Sequence, residues 1–175
     1  LNRLHTAKDI YIKSTHEAII ELLEEKIDQT SKRIEGMIKQ KESLNIEYQN
    51  LQTIPAIGKE TAVILLRHLT DKNFETANKF VAFAGLSPKI EQSGTSVNKK
   101  GRLSRYGHRQ LKRALFMPAL VAYRMNVFPQ LVRNLEAAKK PKMIIIVALM
   151  RKLAKIAFYI HKTKKPFDKA RHQTV

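Results

Sequence analysis

The sequence predicts an all-α protein: a long N-terminal coiled-coil helix, then a compact helical domain carrying a helix-hairpin-helix element and one Gly/Ser/basic loop or short ribbon. Three observations predict this. Between Thr15 and Gln52 there is no proline, and apolar residues recur every seven positions. Beyond Gln52, apolar stripes at helical spacing alternate with short Pro, Gly and Asn punctuation. Between Leu86 and Gly107 the helical spacing lapses, and Gly94, Gly101 and the run Asn98-Lys99-Lys100 take its place. The expected boundaries are 1–52 for the coiled-coil helix, 53–167 for the helical domain and 168–175 for a basic tail.

In the first region Ile20, Ile27 and Ile34 form one register, continued by Lys41 and Tyr48. Leu23, Thr30, Met37, Leu44 and Leu51 form the other. These are a and d positions flanked by Glu and Lys, so one helix of ~50 Å or more exposes an apolar seam. Thr30 and Lys41 interrupt it. Such a seam needs a partner, either a second helix of the full protein or the same helix of another copy, and a homo-oligomer through the coiled coil is the expectation. The competing reading is an amphipathic helix lying on its own domain.

Pro55 ends that helix, because the residue before a proline is driven out of helical geometry. The stretch from Ile54 to Leu69 reads as a tight turn closed by Gly58 and a helix opening at Lys59 to Thr61. That is the pattern of a helix-hairpin-helix, whose turn and helix-start N–H groups face a phosphate. Such elements usually carry glycine where Ala56 stands. The competing reading is a plain αα turn packed by Ile57, Val63, Leu65 and Leu66. Asp71-Lys72-Asn73 marks a turn, and Thr76 to Ala84 is a short helix with Gly85 at its C′ position. Helical pattern returns from His108 to Asn126, with a kink expected at Pro118. A further helix spans Pro129 to Ala138, and Lys139-Lys140-Pro141 breaks it. Met143 to Lys162, apolar on most sides at first, is predicted to be the core helix. From Thr163 the basic tail is expected to lack order by itself.

Charge is distributed unevenly. Of a net +18, residues up to Pro88 contribute nothing, with twelve basic and twelve acidic side chains. Residues from Lys89 onward carry twenty-one basic side chains and three acids, Glu91, Glu136 and Asp168. A one-signed field of that extent calls for a polyanion, and duplex DNA offers one negative charge per ~1.7 Å of axis. Absence of cysteine excludes a disulfide or a thiolate site and fits a cytoplasmic protein. No apolar run reaches the ~18 residues of a membrane span, so no membrane partner is expected. The start, Leu1-Asn2-Arg3, without methionine, is expected to be internal to a longer protein.

Chemistry has few places to reside. The acids lie mostly on the long helix, and neighbours such as Glu24 and Glu25 do not share a face. Six scattered histidines show no HxxxH or similar spacing, so no metal site is expected. No G-x-S-x-G elbow occurs. His108 reads as a helix-start or phosphate contact. There remains Gly85 to Phe116, with Ser87, Ser93, Ser96 and Ser104 among glycines, eight Lys and Arg, and the single acid Glu91. Glycine lets a backbone approach a phosphate, and cations hold it. Ser93, followed by Gly94, is the candidate nucleophile, with Ser96 as runner-up; in an extended segment the two point to opposite faces. Lys99, Lys100, Arg102, Arg105 and Arg109 are the candidate clamps. Taken singly, Ser93 reads first as a turn or phosphate-bonding hydroxyl, and the competing reading of the cations is a solvated face.

The ordered set IPAIGKETA, FVAFAGLSP and QSGTSVNKKGRLSRYGHRQLKRALF resembles the C-terminal transposase domain of the IS-one-ten insertion-sequence family, which includes the Piv-like DNA invertases. The resemblance runs from about Leu51 to Phe167 and rests on the spacing of Gly85, Pro88, Ser93-Gly94, Gly101, Gly107, Arg109, Leu111 and Arg113. It implies an enzyme, a serine-dependent DNA transposase or recombinase. Ser93 would form a transient 5′-phosphoserine link, and a separate N-terminal RuvC-like domain would hold Mg²⁺ on acidic ligands. The chain alone, which needs no cofactor of its own on this reading, is then expected to bind but cut poorly. The resemblance also implies DNA and a structured guide RNA as partners. Competing readings are a non-enzymatic basic helix-hairpin-helix binder and an RNA-associated basic protein.

Overall fold

The computed structural model describes residues 10–89, 92–93, 97–98, 102–103 and 106–172. The chain divides into two compact units, the first ending at Asn45 and the second beginning at Ile46.

The first unit is helical over its described length except at Gln40–Lys41. Helix α1 spans Ile10–Lys39. Its seam is open to solvent, since Ile27 and Met37 are each 61% exposed. Thr30 is accommodated in that seam by its own helix: its hydroxyl donates to the Lys26 carbonyl at 2.7 Å. The single helix expected from Thr15 to Gln52 is interrupted at Gln40–Lys41, and α2 (Glu42–Gln52) follows. The break falls where Lys41 occupies a seam position. There the Lys41 amide bonds the Ile38 carbonyl in a tightened turn (3.2 Å). Lys39 in the last turn of α1 and Glu42 in the first turn of α2 complement the two helix ends.

In the second unit, α3 (Lys59–Asp71), α4 (Ala77–Phe83), α5 (Arg109–Arg124) and α6 (Pro129–Ala137) surround α7 (Lys142–Thr163). The expectation that the last long helix forms the core holds. Ile145, Leu149, Leu153, Ala154 and Ala157 of α7 are almost wholly excluded from water. They meet Phe80 of α4 and Leu111 and Leu115 of α5 in one core, with Leu65 of α3 also buried. Fully burying side chains of this size contributes roughly 1.5–3 kcal/mol each before entropy is counted. The fold is all-α, as predicted.

Three helices end in the same way. After α4, the Gly85 amide donates to Ala82 O (2.9 Å) and the Leu86 amide to Val81 O (3.0 Å), with Gly85 at φ 70°. Asn126 (φ 49°) closes α5 with the same pair of bonds, and Lys139 (φ 51°) closes α6. Helix α5 runs through Pro118, which has no N–H for the Ala114 carbonyl one turn earlier. The Thr61 hydroxyl of α3 donates to that carbonyl instead, at 3.4 Å.

Between α4 and α5 the described residues include four two-residue strands of a ribbon. Strand β1 (Pro88–Lys89) pairs antiparallel with β4 (Arg102–Leu103), and β2 (Gln92–Ser93) with β3 (Val97–Asn98). Two residues separate β1 from β2 and three separate β3 from β4, so the register shifts by one between the ladders.

The first part of the expected tail, residues 163–167, is tied to α2 and to Thr53 just after it rather than loose. Lys164 takes a left-handed conformation (φ 56°) and turns the chain back. Buried Glu47 binds His161 Nδ1 at 2.8 Å and also Lys164 Nζ. Asn50 Nδ2 donates to Lys164 O (2.9 Å), and the Phe167 amide donates to Thr53 Oγ1 (2.7 Å). A last helix, α8 (Lys169–His172), follows. Among the described residues no helix is long and apolar enough to cross a membrane.

Candidate nucleic-acid interface

The turn between α2 and α3 is built by Pro55 and Ala56. The Ile57 amide closes on the Ile54 carbonyl at 3.0 Å, with proline at the second position and Ala56 at φ 72° in the third. This is the type II arrangement, whose third position favours glycine. Gly58 caps α3 with φ −87° and ψ 176°, a geometry any residue adopts, and no side chain caps the helix. The N–H groups of the first turn follow it, Lys59 and Glu60 being exposed. Glu60 already places a carboxylate in that positive field. The Thr61 hydroxyl is committed to Ala114, so its contribution to a phosphate would come from its backbone.

The ribbon stands on a crossing of two glycines. A Cβ on Gly107 (φ 125°) would collide with Gly85 Cα and N. A Cβ on Gly85 would stand 2.5 Å from the Tyr106 carbonyl oxygen and 2.9 Å from Lys112 Nζ. The His108 amide donates to Phe83 O at 2.7 Å, which closes the root. His108 then caps α5, its Nδ1 accepting from the Leu111 amide at 3.4 Å.

Beneath the root lies an aromatic cluster. The His68 ring of α3 sits 4.1 Å from that of His108 and 5.9 Å from Phe83. Lys72 Nζ lies 4.5 Å over the Phe83 ring. His68 is buried, and its Nε2 finds no hydrogen-bond partner among the described residues. Burial foremost, then charge on His108 and Arg67, holds its imidazole below the ordinary histidine range, against an upward pull from Asp71.

Thr61 meets Ala114 while His68 meets His108, so α3 and α5 run antiparallel. The start of α3 and the ribbon root therefore lie at opposite ends of their contact, about 10 Å apart along the helix. Arg109 and Arg113, exposed and one turn apart on α5, lead from the root towards the level of Thr61. Of the residues predicted for the site, Ser93 lies in β2 opposite Val97, and Arg102 lies in β4 opposite Lys89. Ser96, Gly94, Lys99, Lys100 and Arg105 lie outside the described residues. Sequence reading missed Lys112 and His68. Lys112 was one of eight cations with nothing to distinguish it, and the burial of His68 is signalled only by its apolar flanks in α3.

Among the described residues no group of three or more His, Asp or Glu could hold a metal ion.

Residues 48–133 match the family described as "Transposase IS116/IS110/IS902 family". The chain is similar to the "Pilin gene-inverting protein" of Moraxella lacunata, 36% identical over 170 residues, which covers 95% of this chain and 53% of that protein. The protein of that name from Moraxella bovis matches at the same identity and coverage. An "Insertion element IS110 uncharacterized 43.6 kDa protein" of Streptomyces coelicolor is 40% identical over 80 residues, 45% of this chain and 19% of that protein. The chain spans about half the length of the Moraxella relatives it matches.

Proposed function

Because the chain belongs to the IS116/IS110/IS902 transposase family, we propose that it grips DNA backbone and supplies the nucleophile of a serine-dependent recombinase. The observation that carries this reading is the ribbon itself. Ser93 stands in β2 next to the three-residue connection to β3, on a ribbon whose root is fixed by Gly85 and Gly107. Lys89 and Arg102 occupy directly opposed positions of the other ladder. Both residues are cations, and a phosphodiester is the kind of anion that cations hold.

In the proposed step the Ser93 hydroxyl oxygen attacks phosphorus. An Oγ–P bond forms, the P–O3′ bond breaks, and the leaving 3′ oxygen takes up a proton while the serine proton passes to solvent or a base. The product is a 5′-phosphoserine and a free 3′-hydroxyl. The number of phosphodiester-type bonds is conserved, so the link can be reversed to join a new end. Arg102, with Lys99, Lys100 and Arg105, offsets the charge that grows on the phosphoryl oxygens. Gly94 leaves room beside the attacked phosphate. Arg109 and Arg113 hold the strand along α5, and the Gly58-Lys59-Thr61 backbone offers a second grip. Any Mg²⁺ is assigned to carboxylates outside this chain, and no step here runs through it. A structured guide RNA on the cationic face and a second copy along the open α1 seam complete the proposed partners.

The test is a suicide DNA substrate offered to the full-length protein with Mg²⁺ and the element's RNA. A covalent protein–DNA adduct is expected, absent in Ser93→Ala and present in Ser96→Ala. An adduct that persists in Ser93→Ala refutes the assignment. Salt-sensitive DNA binding with no adduct under any condition leaves a non-enzymatic binder.

A further inference from the structure

A groove of about 870 Å³ opens in the second unit along α7, with Leu131 of α6 on one side and the docked C-terminal segment on the other. Among the described residues, none of the ribbon lines it. Arg151, Lys152, Lys155 and Lys165 line it against a single acid, Asp168. Two aromatic residues, Tyr159 and Phe167, share that lining. Tyr159 is 51% exposed although it belongs to the core helix. A volume of that size is in the range, roughly 300–1,000 Å³, that encloses small organic ligands, so it admits planar bases as well as the backbone at its rim. Lys152 is buried in the wall. That burial, then the neighbouring Lys155, keeps its ammonium below the usual lysine range, a cost that an arriving anion would relieve.

We infer that this groove binds a single-stranded stretch of nucleic acid, with bases against Tyr159 and Phe167 and phosphates on Arg151, Lys155 and Lys165. A groove lined by both rings and cations is what a splayed strand requires. A duplex keeps its bases stacked and would meet only the rim. The inference rests on the reading that the chain handles nucleic acid, and it adds a second site, distinct from the ribbon, for the strand that is not paired.

Anisotropy titrations of the chain with labelled oligo-dT and with a duplex of equal length test it. Tyr159→Ala is expected to weaken oligo-dT binding about tenfold and to leave duplex binding within about twofold. Tyr159→Phe keeps the stacking face and should retain wild-type affinity. Arg151→Ala and Lys155→Ala should each flatten the salt dependence of strand binding by about one contact. A 5-iodouracil oligonucleotide should photocrosslink at Tyr159. Half of the Tyr159 ring is already outside the core, and circular dichroism verifies that the variants fold. If duplex binding is intact and Tyr159→Ala leaves oligo-dT affinity unchanged, or weakens both ligands equally, the inference fails alone. If wild type binds no polynucleotide, the proposed function fails with it. An acidic amphipathic peptide that binds wild type but not Tyr159→Ala, with strand affinity unaltered, would give the groove to a protein partner and likewise overturn it.

Discussion

Gly85 and Gly107 cross backbone to backbone, so that the ribbon leaves α4 and enters α5 at a single point. Gly85 also terminates α4, through its left-handed φ and the paired amide bonds around it. One residue thus ends a helix and seats another chain segment. Replacing Gly107 by alanine puts a methyl group into Gly85 and asks an L-residue to adopt φ 125°. We expect Gly107→Ala to destabilise the chain by at least about 2 kcal/mol, read by urea denaturation, and to lose adduct formation under conditions where the helices remain folded.

Ala56 presents the reverse case. Its φ of 72° is adopted without the freedom glycine would bring. A left-handed L-residue costs about 1–2 kcal/mol, part of which glycine gives back as unfolded-chain entropy. Ala56→Gly should therefore stabilise the chain by about 0.5–1 kcal/mol in urea titrations. A loss of stability would mean that the turn does not strain Ala56.

The Thr61–Ala114 bond exists because Pro118 has no N–H to give. Thr61→Val removes the donor at nearly constant shape and should cost about 1 kcal/mol, the burden of a part-buried carbonyl that loses its partner. In a Pro118→Ala background the helix supplies its own donor, so the same change should cost markedly less. A double-mutant cycle reads the difference as a coupling of about 1 kcal/mol; additivity would show the two sites to be independent.

His68 predicts a pH dependence of definite sign. Its folded pKa is depressed, by burial first and then by charge on His108 and Arg67. The unfolded chain therefore binds its proton more readily than the folded one. The stability this contributes is complete above the unfolded value of about 6.5 and is lost as pH falls towards the folded value. Thermal melts between about pH 8 and 5 should show a steeper decline in wild type than in His68→Phe, which keeps a ring against Phe83 without the titrating nitrogen. Equal slopes would remove His68 from the account.

Local signals carried much of this architecture. Proline at the start of α6, Gly85 after α4 and the punctuation at Lys139-Lys140-Pro141 mark their elements because each acts within a few residues of itself. The long apolar run of α7 announced the core for the same reason. What the sequence concealed depends on distant partners. Gly107 reads as an ordinary loop glycine until Gly85 is placed against it. Thr61 reads as a phosphate ligand until the missing amide of Pro118, fifty-seven positions away, claims its hydroxyl. The docked C-terminal segment hangs on Glu47, whose buried carboxylate has no local signature. Lys41 did weaken the seam in the sequence, but a weakened heptad does not by itself say that the helix stops there. For the site, the chemistry-bearing residues of the ribbon were legible as a set, and the separation of the ribbon root from the start of α3 was not, because it follows from the antiparallel packing of two helices.

The crossed glycines have one more consequence. Because the two ends of the intervening stretch nearly coincide in space, its length is almost free to vary: closing a longer loop between fixed ends costs only about 0.6 kcal/mol per doubling. The helical body can then stay constant while the excursion is trimmed, extended or swapped from Ser87 onward, leaving buried Leu86 in place. Selection, or an engineer, can retarget what the excursion touches as an interchangeable cassette, with no need to redesign the scaffold that carries it.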